Sequence, residues 1–190
     1  MTLRVVSVLW LVLASGSLQG CFPVVAAGVG AGVVMAQDRR SKDVFIEDRQ
    51  IEAQAIDRIE KQFNSVMHVN ATSYNHHVLV TGEVLDESTK TEIGKTVASI
   101  KNVRDVSNDL AISNVSSLAS RSNDSLITSN VKLRFVNERR FNAEHVKVVT
   151  ENSTVYLMGI VNHTEADAAT EIASTAKGVQ YVVRMFEYLD

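Results

Sequence analysis

One proline, one cysteine and one tryptophan occur in 190 residues, and aromatic residues make up only 6%. A lone cysteine cannot close an intramolecular disulfide, and a single proline excludes polyproline and collagen-like segments. Glycine is scarce too. Five of the nine glycines fall between Gly16 and Gly32, leaving Gly82, Gly94, Gly159 and Gly178 for the rest of the chain. An excess of positive charge is missing: 19 Lys and Arg stand against 22 Asp and Glu, a net charge of −3. A nucleic-acid partner is therefore not expected. Long hydrophobic runs are missing as well, since the apolar stretch Val5 to Leu13 is too short to span a bilayer. What is present is a 45% share of hydrophobic residues, far more than a disordered chain carries and enough for one medium domain or two small ones.

The first twenty residues read as an address. Arg4 precedes the apolar run, which has the length of a secretory signal core. The segment ends in Leu18-Gln19-Gly20-Cys21, which resembles the lipobox cut by the lipoprotein signal peptidase. Cys21 then becomes the mature N-terminus, carrying covalent acyl chains on its sulfur and its new amine. Three chains exceed the two-signal requirement for stable anchoring. Phe22, rather than Asp, follows the cysteine, and by analogy with lipoprotein sorting this favours the outer membrane, with the protein facing the periplasm. Residues 1–20 are thus the signal peptide and 21–42 a lipidated tether. Gly28, Gly30 and Gly32 lie in that tether without the preceding strand a phosphate-binding loop requires.

Beyond the tether the sequence repeats itself at an offset of 77. His68-Val69 aligns with His145-Val146, and Val78-Leu79-Val80-Thr81-Gly82-Glu83-Val84 aligns without a gap with Val155-Tyr156-Leu157-Met158-Gly159-Ile160-Val161. Each copy predicts a helix, two strands, a helix and a strand. In the first, Ile51, Ala55, Ile59 and Phe63 recur every four residues. Strands of alternating, β-branched character are expected at 66–72 and 78–84, with Tyr74 to His77 as the hairpin connection, then a helix over 87–100 and a strand over 103–112. The second copy predicts a helix over 124–137, strands at 146–150 and 154–161, a helix at 164–176 and a strand at 179–189. Ser122 or Asp124 is the expected N-cap and Gly178 a C-cap. The mid-strand glycines imply close approach of another backbone. The charged run Asp38 to Asp43 reads as a solvated boundary.

These residues resemble the BON domain, a helix, two-strand, helix, strand module with a glycine in its second strand, found in tandem in outer-membrane lipoproteins. The likeness extends from the lipobox through Asp38-Arg39-Arg40-Ser41 and Ser122-Asn123-Asp124-Ser125 to Val148-Val149-Thr150-Glu151-Asn152. It implies an α+β fold of two BON-like domains, 43–112 and 122–190, each with helices packed on a small mixed sheet and joined by a Ser-rich linker over 113–121. It also implies a non-enzymatic lipoprotein that supports envelope integrity, binds phosphatidylglycerol-like anionic phospholipid through the first helix of its second domain, and in some members gathers at division sites near the β-barrel assembly machinery. Members carry Trp where this chain has Leu126.

The residues support a lipid surface on their own terms. At about 100° per residue, Ile127, Val131 and Phe135 form one face of the helix over 124–137. Leu126, Leu133 and Val136 fall on the other side with Ser129, Asn130 and Asn137. From Arg121 to Arg140 five basic residues face two acidic ones. Arg134 and Arg140 are the candidate headgroup partners, completing a phospholipid-binding set of Leu126, Ser129, Asn130, Leu133, Arg134, Val136, Asn137 and Arg140. The same aliphatic face could instead hold a client or an assembly protein, which would make the protein a periplasmic chaperone or scaffold. No catalytic or metal-ligating residues and no cofactor are expected. His76-His77 reads as a solvated turn, His68 and His145 as strand ends.

Overall fold

The structure is a computed structural model that describes residues 38–63 and 67–189. Leu18, Gln19, Gly20 and Cys21 lie outside the described residues. The first domain runs α1 (Lys42–Gln62), β1 (His68–Tyr74), β2 (His77–Val84), α2 (Glu87–Ala98), β3 (Asp105–Asn108) and β4 (Ala111–Ile112). The second runs α3 (Leu118–Val136), a 3-10 turn (Ala143–His145), β5 (Val146–Glu151), β6 (Thr154–Val161), α4 (His163–Ser174) and β7 (Tyr181–Tyr188). The α+β class and the repeated element order are those expected.

In each sheet the second hairpin strand is central: β2 is antiparallel to β1 and parallel to β3 and β4, and β6 is antiparallel to β5 and parallel to β7. The strand expected over 103–112 is interrupted, because Asp109 and Leu110 fall between two short ladders. The Asp109 amide still donates to the Val80 carbonyl at 2.9 Å, and Leu110 turns into the core. The alternation expected of β2 and β6 is also corrected. Val78, Val80 and Val84 join the helices' core while Leu79, between them, is equally buried on the other face. In β6, Val155, Leu157 and Val161 face the helices and Tyr156 and Met158 the opposite side. A strand covered on both faces has no use for polar alternation.

What covers the second face is the other domain. Tyr74 and Leu79 form one apolar cluster with Tyr156 and Met158, flanked by Val149, Ile160, Val183 and Met185. Polar contacts surround it. Lys147 reaches Glu52 at 2.6 Å and the Ser73 carbonyl at 3.1 Å, and Glu187 accepts from Asn75 and from Arg104. Of the charged run read above as a solvated boundary, Lys42 and Asp43 are exposed in the first turn of α1, but Asp38, Arg39 and Arg40 form a strap. Arg39 forks onto Glu165 at 2.6 and 2.9 Å and donates to the Ile160 carbonyl at 2.8 Å. Arg40 is buried between Asp38 and Asp48 and lies over the Tyr74 ring at 4.0 Å. Arginine suits such a place because its planar cation can stack and pair at once.

Both hairpins turn through two residues of positive φ, Asn75 (50°) and His76 (66°) in one and Asn152 (47°) and Ser153 (62°) in the other. This is the geometry that matches strand twist, and Asn tolerates it best after Gly. The amides of each turn are bound by a buried carboxylate from the opening helix. Asp48 accepts from Asn75 N and His76 N, both at 2.8 Å, and from Ser73 Oγ at 2.6 Å. Asp124 accepts from Asn152 N at 2.9 Å and Ser153 N at 2.8 Å. Asp124 is therefore not the cap of its helix. Ser117 is, accepting from Ser120 N, so α3 begins inside the expected Ser-rich linker. Gly178 lies past the end of α4, in the turn before β7, with φ of 92°; Thr175 is the cap.

Gly82 and Gly159 occupy the same place in the two sheets. A Cβ on Gly159 would stand 2.4 Å from the His145 carbonyl oxygen, and on Gly82 1.9 Å from that of His68. Gly159→Ala is expected to cost about 1–3 kcal/mol through forced backbone movement, read as a lower urea midpoint. Burial alone would raise the Asp48 carboxyl. The bonds from Ser73, His76 and Arg40 outweigh it and hold the group below its ordinary value of 3.8. A depressed carboxylate stabilises the fold at neutral pH, and its contribution fades as pH falls from 3.8 through the lower folded value. Asp48→Ala, which unpairs the hairpin amides and leaves Arg40 with Asp38 alone, is expected to lose about 3–5 kcal/mol in urea unfolding at pH 7 and to show a weaker acid dependence than the unsubstituted chain.

Candidate functional site

Helix α3 is held by one face. Ile127, Val131 and Phe135 are at most 2% exposed and join the core of the second domain, with Phe135 edge-on to Phe141 at 5.0 Å. The opposite face has no such cover. Leu126, Leu133 and Val136 are 70%, 64% and 69% exposed, and Ser129, Asn130 and Asn137 are exposed beside them. Leu118 extends the row at 76% exposed. On the wheel its position falls within about 80° of the other three. It was missed because the helix was expected to start six residues later. The available signal was Ser117 followed by Ser120, a capping residue immediately before a leucine that stands eight positions, about two turns, ahead of Leu126.

None of these four side chains contributes to the cluster between the domains or to either helix-face core. Single exposed leucines are ordinary. Four on one helix face, spaced along it with Ser122 and Ser129 between them, are not, and apolar surface of this kind suits a partner or a membrane.

The basic residues of this region divide into two groups. Arg134 is half-buried and donates to the Ile172 carbonyl at 2.7 Å, tying α3 to α4. Arg140 forks between Glu138 at 2.9 Å and Glu171 at 2.8 Å. The hydrogen bond from Arg140, with amides of Arg139 and Arg140, lowers the Glu138 carboxyl to about 2. Arg121 donates to the Ser116 carbonyl at 3.0 Å. Lys132 and Arg139 are exposed. Of the two cations named as headgroup partners, Arg134 is half-buried against α4, while Arg140 is exposed and paired with two surface glutamates. Sequence spacing placed Arg134 near the helix flank but could not show that a carbonyl of α4 lies within its reach. Among the described residues no helix is long and apolar enough to cross a membrane.

Two helix-hairpin-helix-strand modules, each with a glycine under a neighbouring backbone and each opening with a helix whose aspartate closes its hairpin, define a tandem α+β protein. The chain belongs to the BON domain family, whose model matches residues 47–114 and 123–190. It is a dual-BON, DolP-like chain: over 175 residues it is 36% identical to a Haemophilus influenzae protein named outer membrane lipoprotein DolP, covering 91% of each chain. It is also 28% identical over 154 residues to a protein of Actinobacillus pleuropneumoniae named 21 kDa hemolysin, covering 80% of this chain and 79% of that one. A solved structure of CdsD, a structural protein of the type III secretion system of Chlamydia trachomatis, covers 76% of this chain and 92% of its own at 16% identity and a TM-score of 0.31, a match too loose to carry weight.

The two groups of cations should separate in stability. Arg134→Ala removes a charged donor from a main-chain carbonyl and is expected to cost about 1.5–3 kcal/mol in urea unfolding. Lys132→Ala should stay within about 0.5 kcal/mol of the unsubstituted protein.

Proposed function

We propose that this outer-membrane lipoprotein binds anionic phospholipid through α3 of its second BON domain and so helps to maintain the envelope. The location follows the relative named as an outer membrane lipoprotein, with 36% identity over 91% of both chains, and the lipobox residues Leu18, Gln19 and Gly20 before Cys21 agree with it. The observation that carries the reading is the exposed row Leu118, Leu126, Leu133 and Val136 on a helix otherwise committed to its core. Lys132 and Arg139, exposed in the same region, would meet phosphate together with exposed Arg140. Arg134 would have to leave the Ile172 carbonyl to do so. Ser129, Asn130 and Asn137 supply polar contacts at headgroup depth.

The anchor lowers the affinity that α3 must provide. The strap fixes the chain to the folded part from Asp38 onward, so residues 22–37 set the reach from Cys21, at most roughly 55 Å at full extension. Contact between α3 and the bilayer is then intramolecular. Each cation near an anionic surface adds about 1 kcal/mol and each inserted aliphatic side chain about 1.5–3 kcal/mol when fully buried.

Co-sedimentation of residues 22–190 with phosphatidylglycerol and with phosphatidylcholine vesicles tests the reading. Binding is expected to the anionic vesicles, to weaken with added salt, and to fall at least about tenfold in Leu126→Glu and in Leu133→Glu, since losing one inserted side chain exceeds 1.4 kcal/mol. No sedimentation with either vesicle would overturn the lipid reading and leave the apolar row to a protein client or an assembly partner.

A further inference from the structure

His68, Glu83 and Glu151 meet where the two domains touch, a grouping hidden in the sequence because the third residue comes from the other repeat. His68 opens β1, Glu83 stands opposite it on β2, and Glu151 ends β5. Their side chains are 18%, 6% and 11% exposed. His68 Nδ1 lies 3.2 Å from Glu83 Oε2 and 3.8 Å from Glu151 Oε1, and one donor atom from each residue falls within 4.8 Å of the others. Donors on a tetrahedral zinc with bonds near 2.0–2.1 Å stand about 3.3 Å apart. Two of the three edges are already close to that spacing.

The surroundings hold these donors in place. Ser116 gives its amide and hydroxyl to Glu83 Oε2 at 3.1 and 3.0 Å. The Asn70 amide nitrogen lies 3.1 Å from Glu151 Oε2 and 3.3 Å from His68 Nε2, tying carboxylate and ring to one side chain. His68, Asn70 and Glu151 also line a cleft of about 200 Å³ with Arg121, Asp124 and Thr128, an entry path with room for water as the remaining ligand. Arg121 turns toward Ser116 and Asp124 toward its hairpin. Glu83 and Glu151 are drawn from water by different domains, with the His68 ring between them.

We propose that His68, Glu83 and Glu151 form a divalent transition-metal site that bolts the two domains together. An imidazole with two carboxylates and an open position suits zinc, whereas magnesium and calcium prefer oxygen alone. Metal on Nδ1 takes the place of that nitrogen's 3.2 Å contact with Glu83, the ring proton then resting on Nε2. The site is separate from the lipid-facing row: its cleft is lined from α3 by Arg121, Asp124, Ser125 and Thr128 and by none of the four exposed aliphatic residues.

The test uses the full-length, untagged protein in detergent, stripped with chelator and titrated with zinc chloride by calorimetry and thermal unfolding. One zinc per chain is expected, with Tm rising about 5–10 °C at a hundredfold excess over Kd. Glu151→Gln and His68→Gln should each weaken binding more than tenfold, while His76→Gln should leave it unchanged. Cobalt chloride added to the unsubstituted protein should give visible ligand-field bands, a readout that needs no variant to fold. Absence of zinc binding, a Tm rise equal to that given by magnesium chloride, retention of binding in both Gln variants, or absence of the cobalt bands would overturn the site.

Discussion

Each domain of this protein depends on one buried carboxylate that reaches from the opening helix to the backbone amides of a hairpin turn. Asp48 and Asp124 make the same contact, and in both the turn residues sit at positive φ with their amides pointing inward. A turn of that kind leaves two donors with no strand partner, and burying them unpaired would cost more than the turn gains. The aspartate removes that cost and fixes the angle between helix and hairpin. Helix and sheet then close on a common apolar core in each repeat.

Asp48 carries a second connection that Asp124 does not. Arg40 binds it and lies over Tyr74, while Arg39, next in the chain, forks onto Glu165 of the second domain. The anchor side of the chain is thus tied to both domains at once. With Leu79 and Tyr156 packed between the sheets, the second faces of β2 and β6 are sealed against each other. Two small domains, each marginal by size, gain a shared core in this way. The arrangement leaves α3 with its inner face buried and its outer row of aliphatic side chains in water.

Much of this was legible in order but not in partnership. The 77-residue offset and the four-residue spacing of Ile51, Ala55 and Ile59 report local periodicity, which is set by backbone geometry and survives in sequence. Helix α3 was recognised by the same logic, though its start was misplaced. Serine is common in linkers and equally good as a cap, and only the bond from Ser120 N to Ser117 distinguishes the two. The run Asp38 to Asp43 was read as solvated because charge normally is. Lys42 and Asp43 are indeed exposed, but the covering of Asp38, Arg39 and Arg40 depends on Asp48 and Glu165, ten and 127 positions from Asp38, meeting them in space.

The sequence alone determined the address, the repeat, the element types and three of the four aliphatic residues of the row on α3, because signal peptides, strands and amphipathic helices are written in contiguous or periodic residues. Tertiary structure alone decided which charges are free. Arg134 is half-buried and held by the Ile172 carbonyl, Arg140 pairs at the surface with Glu138 and Glu171, and Lys132 is exposed. It also decided that His68, Glu83 and Glu151 stand together. Electrostatic partnership depends on distances of a few ångströms between residues far apart in the chain, and no local pattern records those distances.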